Sequence, residues 1–429
     1  MPQVLIVRGH QATPWELAPW RELPERFAVS YLLTRSNRFA SPTGLRAVPV
    51  RALRDLLPRG AVGEVGAVAL GDRYLSGRES FAAADIVHAE ELSYWFAAEA
   101  ARRKARHGFR LVQTVWETLP HMDAYRSAHA RRYRQEVLAH TDLFLPATER
   151  AALALRLEGV APERIQVCAP GIDIERFAVP APAPAPTEHT IISPGRLVWE
   201  KGHHDVLRAL AALHKGIVTL PGGGHCQPRL LLLGNGPEEM RLRTHASELG
   251  LAEFVEIRSV PYEQMPALFA SASAMVLASQ SSATAALHPF DLPRAFWEEQ
   301  FGMVLAEAMA AGLAIVTTTN GAIPEVLAGV GAPKDDPKSG VDLQQPEGDI
   351  QPGSDLQQQA SSAGGQAPVD LVAPGDWLGI ARALALGPLS RPPATRVSHP
   401  PELVRRYSTL AAAERLAAAY DRVLGADVG

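Results

Sequence analysis

Cysteine is nearly absent from this chain: Cys168 and Cys226 are the only two in 429 residues. That excludes a disulfide framework, and the pair lacks metal-ligand spacing, so a reducing compartment is expected. An excess of one charge is missing too. Lys and Arg total 42 against 46 Asp and Glu, a net charge of −4, which provides no global field to gather nucleic acid and favours small-molecule chemistry. No uninterrupted apolar stretch is long enough to span a bilayer. Met1-Pro2-Gln3 leads straight into Val4-Leu5-Ile6-Val7, which reads as a first buried strand and lacks the charged start and long apolar core of a secretion signal. The expectation is a cytoplasmic protein, with any membrane contact peripheral at the inner face. Metal ligands are scarce as well: no Asp-x-Asp occurs, Asp335-Asp336 sits in a low-complexity stretch, and the histidines show no ligand spacing. No metal and no cofactor are expected.

What is present is length and alternation. A chain of 429 residues can build two α/β domains with separate cores. Short apolar runs at Val4 to Val7, Ala28 to Leu33, Asp85 to His88, Leu111 to Trp116, Asp142 to Pro146 and Ile165 to Ala169 alternate with helical patterns, which argues for a parallel sheet with crossover helices. A stiff Pro/Ala stretch from Val179 to Pro186 follows. A second series then runs through Thr190 to Ser193, Leu230 to Leu233, Phe254 to Ile257, Ala274 to Leu277, Ala314 to Thr318 and Asp370 to Val372. The expected division is a first domain over 1–178, a linker over 179–188, a second domain over 189–395 and a terminal helix within 396–429, read over Pro401 to Leu424 and packing back on the first domain. Residues 331–368, rich in Gly, Pro, Gln, Ser and Asp, read as a disordered insertion, and Ser281 to Arg294 as a lid. Two doubly wound sheets would place a site in the cleft beyond the carboxyl ends of their strands.

Two stretches carry chemistry. In the first, Gly302 precedes a helical run from Met303 to Ala311, so the helix head offers unpaired N–H groups and a positive dipole end to phosphate or sugar oxygens. Glu299 faces that head from the loop, and Glu307 sits a turn inside among apolar neighbours, where a carboxylate needs a partner such as ribose hydroxyls. The same pattern also fits a surface loop whose Glu pairs locally. In the second, Pro194-Gly195-Arg196-Leu197-Val198-Trp199-Glu200-Lys201-Gly202 puts Arg196 and Lys201 in a strand-to-helix loop ahead of a helix from about His203. Fixed cations of this kind stabilise a departing diphosphate, and they fit ordinary surface charge equally well.

Arg196 and Lys201 in Gly-Arg-Leu-x-x-x-Lys-Gly, Gly234-Asn235-Gly236-Pro237 after a strand, Glu299 and Glu307 in an E-x7-E layout, and Gly321-Ala322-Ile323-Pro324-Glu325-Val326 together resemble the retaining family 4 glycosyltransferases, the group 1 enzymes of GT-B fold. Pro170-Gly171-Ile172-Asp173 before Phe177 resembles the point where that family leaves its first domain. The resemblance covers most of residues 85 to 327 and resumes at Ala373-Pro374-Gly375-Asp376. It implies two facing Rossmann-like domains, the first for the acceptor and the second for a nucleotide sugar, with the site between them. Arg196 and Lys201 would hold the donor diphosphate, Glu299 a sugar hydroxyl and Glu307 the ribose. Backbone at Gly302, Met303, Val304 and Gly234 would complete donor binding. The implied reaction moves a hexose-type sugar from a nucleoside diphosphate to a hydroxyl acceptor, whether sugar, lipid-linked or small molecule, with retention and without a metal.

The pattern departs from the family on the acceptor side. Members commonly carry a His after the strand that here reads Gln113-Thr114-Val115-Trp116-Glu117-Thr118, and Trp116 takes that place. Glu117, His121 and His88 are the remaining side-chain candidates. Gly9, in Arg8-Gly9-His10, would allow close approach of a ligand where the family has a run of glycines. The runner-up reading is therefore a non-catalytic GT-B module that binds or senses nucleotide sugars. A nicotinamide oxidoreductase fits less well, because Gly234-Asn235-Gly236 lacks the third glycine of that fingerprint. The basic runs Arg102-Arg103-Lys104-Ala105-Arg106-His107 and Arg131-Arg132-Tyr133-Arg134 fit either an anionic membrane surface or solvated helix faces.

Overall fold

Runs of four to seven residues, apolar in the sheet centres and mixed at the edges, form the strands of two parallel sheets, six in each. In the first sheet these are β1 (Gln3–Ile6), β2 (Ala28–Thr34), β3 (Arg46–Val50), β4 (Ile86–Glu90), β5 (Arg110–Val115) and β6 (Leu143–Pro146), in the order β3-β2-β1-β4-β5-β6. The second holds β7 (Thr190–Pro194), β8 (Arg229–Leu233), β9 (Val255–Arg258), β10 (Ala274–Leu277), β11 (Ala314–Thr318) and β12 (Val369–Val372), in the order β12-β11-β10-β7-β8-β9. Helices cover the faces, so central strands are buried on both sides and read as continuous apolar runs. β10 shows this, with Ala274, Met275, Val276 and Leu277 all buried. The computed structural model describes residues 1–42, 44–58, 60, 63, 66–67, 70–122, 128–180, 182, 186–281, 297–328 and 368–425. Apart from Pro368 and Ser281, the expected insertion at 331–368 and the expected lid at 281–294 lie outside the described residues, as does part of the Pro/Ala stretch.

Both sheets reverse their winding direction once, the first between β1 and β4 and the second between β7 and β10. The loops after those strands diverge and leave a crevice, which is where ligands of such sheets bind.

Three expectations need correction. The run Ile165 to Ala169 is not a strand: a single bridge joins Ile165 to Phe144, and the segment then becomes the crossover towards the second sheet. The sixth strand of the first sheet is instead β3, an edge strand whose Arg-Ala-Val-Pro-Val sequence is largely exposed. Its proline is tolerated because an edge strand does not need every N–H. The terminal helix is two helices, Pro401–Arg406 and Thr409–Leu424, because Ser408 turns extended and caps the second, its Oγ accepting from Ala411 N at 3.1 Å.

That break aligns two crossings of the chain. Ile172, on the way out of the first domain, bonds Tyr407 O (2.7 Å) and accepts from Thr409 N (3.0 Å) on the way back. A Cβ on Gly171 would come within 2.8 Å of Ala412 Cβ and of Thr409 Cα, so the close approach needs glycine. The Thr409–Leu424 helix then packs on the first sheet. Tyr420 Oη accepts from Trp20 Nε1 at 2.7 Å and meets His88 Nδ1 at 2.7 Å.

Candidate active site

The loop after β7 is held by backbone contact with the loop after β8. Gly195 N donates to Leu233 O (2.9 Å) and Leu197 N to Asn235 O (2.8 Å). The strands lie so close that a Cβ on Gly234 would sit 1.9 Å from Gly195 O, and one on Gly236 2.3 Å from Leu197 O. Only glycine fits there, which gives Gly-Asn-Gly a packing role beneath the loop that presents Arg196. His203 fixes the same loop from below, through Ser193 Oγ (3.1 Å) and Arg196 O (3.2 Å). Burial lowers its pKa to about 4, so it stays neutral. Arg196 itself follows β7 and is exposed, its side chain unpaired among the described residues.

Lys201 follows, just before the helix His203–His214, and points across the β7/β10 crevice. Its Nζ lies 2.9 and 2.6 Å from the two oxygens of Glu299 and 5.0 Å from the centre of the Trp297 ring. Glu299 is 5% exposed. A buried carboxylate needs more than one partner, and Ser279 Oγ donates to Oε2 at 2.7 Å, while Glu299 N donates to Asn320 Oδ1 at 2.5 Å. The Glu299 backbone is fixed by Ala322 N donating to its carbonyl (2.9 Å), and Gly321, at φ +56°, leaves no room there for a Cβ. Glu299 Oε1 receives one hydrogen bond, so it keeps capacity for a ligand hydroxyl.

The helix Met303–Ala310 starts at Gly302, whose φ of +76° turns the chain into it without a side-chain cap. The N–H groups of Met303 and Val304 have no carbonyl a turn behind them and face the crevice end of the helix. Glu307 is buried one turn further in. Burial pushes its carboxyl up to about 7, against the pull of a hydrogen bond from Tyr262 Oη at 2.9 Å. The sequence stretches thus come together in one crevice, along with Ser279, Asn320, Tyr262 and Trp297, which motif spacing did not single out. Asn320 and Trp297 do adjoin the recognised stretches, immediately before Gly321 and Glu298. Ser279 and Tyr262 carry no such signal.

Facing this crevice is the other one, at β1/β4. Arg8 follows β1 and Glu90 ends β4, with Arg8 Nε 3.3 Å from Glu90 Oε2. Trp116 donates from Nε1 to Glu90 Oε1 (2.6 Å) and from its backbone to Glu91 Oε1 (2.9 Å). Its ring meets Phe301 of the second domain edge-on at 6.3 Å. A cavity here is bounded by Arg8, Glu16, Glu90, Trp20 and Trp116, with Met303 lining it from the second domain.

Of the acceptor-side candidates, Gly9 (φ +57°) donates its N–H to Tyr74 Oη at 3.0 Å, and a Cβ on it would meet Phe96 Cδ1 at 2.5 Å. His88 is fully buried, held by Tyr420 Oη and Thr114 Oγ1 (2.8 Å), and its pKa is held well below the usual range by burial and by Arg8. It has no nitrogen left for a ligand. Glu117 accepts from Leu119 N at 3.0 Å, and His121 is exposed with its amide donating to Glu158 Oε1 at 3.1 Å. None of these four borders the β1/β4 cavity.

The two halves are clamped beside the site. Arg150 donates to both oxygens of Glu298 (2.6 and 2.5 Å), next to Glu299, and Glu325 accepts from Glu149 N (2.7 Å) and Arg150 N (3.2 Å) at the start of a first-domain helix. Much of the basic run on the first domain is also spoken for. Arg102 pairs with Glu99 and Glu136, Arg103 with Glu99, Lys104 with Asp142, Arg132 with Glu136 and buried Arg134 with Glu158. That face presents less free positive charge than its sequence suggests. Among the described residues no three His, Cys, Asp or Glu side chains converge to hold an ion, and no helix is long and apolar enough to cross a membrane.

Two family models match end to end, Glycosyltransferase Family 4 over residues 8–176 and Glycosyl transferases group 1 over residues 176–329. The chain belongs to this glycosyltransferase family. Among its relatives, WcaL of Escherichia coli K12, named for colanic acid biosynthesis, is 32% identical over 195 residues, 45% of this chain and 43% of WcaL. The GDP-mannose-dependent alpha-(1-6)-phosphatidylinositol monomannoside mannosyltransferase of Mycolicibacterium smegmatis is 29% identical over 167 residues, 37% of this chain and 39% of that enzyme. The match therefore spans less than half the length of either relative. Anabaena HepE, solved in complex with UDP and glucose, superposes with a TM-score of 0.63 at 16% identity, over 98% of this chain and all of that one. This likeness shows the fold, GT-B.

Proposed function

We propose that this family 4 member is a retaining glycosyltransferase that moves a hexose-type sugar from a nucleoside-diphosphate sugar to a hydroxyl acceptor, with no metal and no further cofactor. The observation that carries the reading is the Lys201–Glu299 pair at the head of the Met303–Ala310 helix, with Glu307 buried a turn inside and Arg196 exposed after β7.

In this reading the diphosphate lies between Arg196, Lys201 and the N–H groups of Met303 and Val304. The ribose hydroxyls take the place of Tyr262 on Glu307, and a sugar hydroxyl donates to Glu299 Oε1. As the bond from the anomeric carbon to the phosphate oxygen breaks, negative charge grows on the diphosphate, where two cations and a helix dipole stabilise it. The acceptor oxygen bonds the anomeric carbon from the face the diphosphate leaves, and its proton passes to the departing phosphate oxygen. No side-chain base is needed, which fits a cleft where His88 is fully engaged and Trp116 replaces the family histidine. The donor sugar of relatives and the UDP of HepE make a uridine or guanosine diphosphate hexose the first choice of probe.

The test is a donor panel read by nucleoside-diphosphate release and product mass, with ¹H NMR of the product anomer. Transfer with retention is expected. Donor binding by calorimetry with neither transfer nor hydrolysis would overturn the reading in favour of a binding module.

A further inference from the structure

A buried arginine at the first switch point keeps two nitrogens without a hydrogen-bond acceptor among the described residues. Arg8 is 2% exposed, yet among the described residues neither its Nε nor its Nη1 has a hydrogen-bond partner. Glu90 is near enough for an ion pair at 3.3 Å but is out of line, and the Trp20 ring lies 5.3 Å from the guanidinium carbon. Burying donors of a charged group unmet costs about 1–3 kcal/mol or more. Donors buried in this way call for an acceptor from outside the chain, a water or a ligand oxygen. Glu16 stands beside it, half-buried, with Thr13 Oγ1 donating to one oxygen at 2.8 Å. Burial and the charge of Glu90 push its carboxyl up to about 7, so around neutral pH it can donate as well as accept.

We propose, resting on the transfer reading, that Arg8, Glu16 and Glu90 between Trp20 and Trp116 form the acceptor subsite, and that the group seated there is an uncharged sugar ring. The charge count decides the class. One cation is already opposed by Glu90 and a second carboxyl stands next to it, so a phosphate or carboxylate would enter against two acids. A sugar ring offers hydroxyl donors to Glu90, oxygens to the idle nitrogens of Arg8 and to Glu16, and a C–H face to the indoles. Position agrees with this. Met303, the first residue of the helix whose head faces the donor crevice, lines the same cavity as Arg8, so a ring seated there comes to the boundary between the two halves.

Binding, read without turnover, tests this. Intrinsic tryptophan fluorescence is titrated with methyl glycosides of glucose, galactose and mannose, and with the matching methyl uronates, in the presence of UDP or GDP. At least one neutral glycoside should quench saturably. Its Kd should rise tenfold or more in Glu16→Leu and change less than threefold in Glu16→Gln, which keeps an N–H donor. Nucleotide affinity should hold in both variants and report that the fold persists. A tighter uronate, no neutral glycoside bound, or an unchanged Kd in Glu16→Leu overturns the subsite. Repeating transfer with the best sugar free and on a lipid carrier tells a soluble from a lipid-linked source. Absence of nucleotide release from every donor would sink the transfer reading alone, because the fluorescence titration stands without it.

Discussion

At the β7/β10 crevice every buried charge is answered by another side chain, whereas at β1/β4 Arg8 keeps nitrogens with no acceptor and Glu16 can hold its proton near neutrality. The two sheets share one winding order, so topology does not make this difference. The loops do. Behind the β7/β10 crevice, Gly202, Gly234, Gly236 and Gly321 let backbone meet backbone at distances no Cβ would allow, and the Lys201–Glu299 pair held there is locked before any ligand arrives. The first crevice is walled by indoles and leaves its polar groups to be completed. A donor half that is preorganised suits electrostatic stabilisation of a leaving group. On the proposed reading, an acceptor half finished by its ligand suits selection among acceptors, because an analogue lacking the right hydroxyl leaves buried groups unmet.

Replacing Lys201 by Met should break the donor half hardest, because it removes a cation from the developing charge and leaves Glu299 buried without its counter-ion. A loss of about 10²–10³ in kcat/KM for the donor is expected, with circular dichroism confirming the fold. Activity within tenfold of the unaltered protein would mean the pair is only structural.

Glu307→Gln should weaken nucleotide binding by about 2 kcal/mol, roughly thirtyfold in Kd. It should also reverse a pH effect. The folded carboxyl ionises near 7, above the usual carboxylate range, because of burial. The unfolded chain therefore loses this proton first as pH rises, and the stability the group provides is full at pH 4 and gone above 7. The Gln variant escapes that loss, so its Tm should exceed the unaltered protein's at pH 8 and match it near pH 4. Equal values at both would contradict the burial of an ionising Glu307.

Arg150→Met sharpens the comparison at the seam. The pair with Glu298 is part-exposed, so stability should shift by less than about 1 kcal/mol. The drop in kcat/KM should nevertheless reach about threefold to tenfold, because Glu298 neighbours Glu299 and small displacements of a positioned group are costly. An effect of similar size, confined to the acceptor, is expected from Trp116→Phe, which keeps the wall and deletes the bond to Glu90. Acceptor KM should rise by a factor set by about 1 kcal/mol, with donor KM unmoved; a change in donor KM instead would move Trp116 to the other half.

The same contrast explains what could be read from the chain. The central strands of the second sheet and the start of the Met303 helix were legible, because strands buried on both faces must be apolar throughout and a strong helical run begins directly after Gly302. β3 was not, because an exposed edge strand with a proline carries no such signal. The partners of the acidic pair were also hidden. Ser279 and Asn320 reach Glu299 from 20 and 21 positions away, and Tyr262 reaches Glu307 from 45, distances that only sheet order closes. Arg8 and Glu90 lay in stretches noted for Gly9 and His88. His88 and Glu90 share one face of β4, and position along the strand separates them: His88 lies under Tyr420, while Glu90 ends the strand beside Arg8.

The contact of His88 with Tyr420 has a consequence for how the molecule is made. Trp20 and His88 are made before the second domain, and Tyr420, which satisfies both, after it. The first sheet therefore waits, with an apolar face and two ring nitrogens unsealed, until the whole second domain has been synthesised and the returning helix can dock. Domains commonly mature one at a time during synthesis. Here the earlier one can reach its final state only after the later one has been made, which makes the first domain the vulnerable partner for chaperones and proteases.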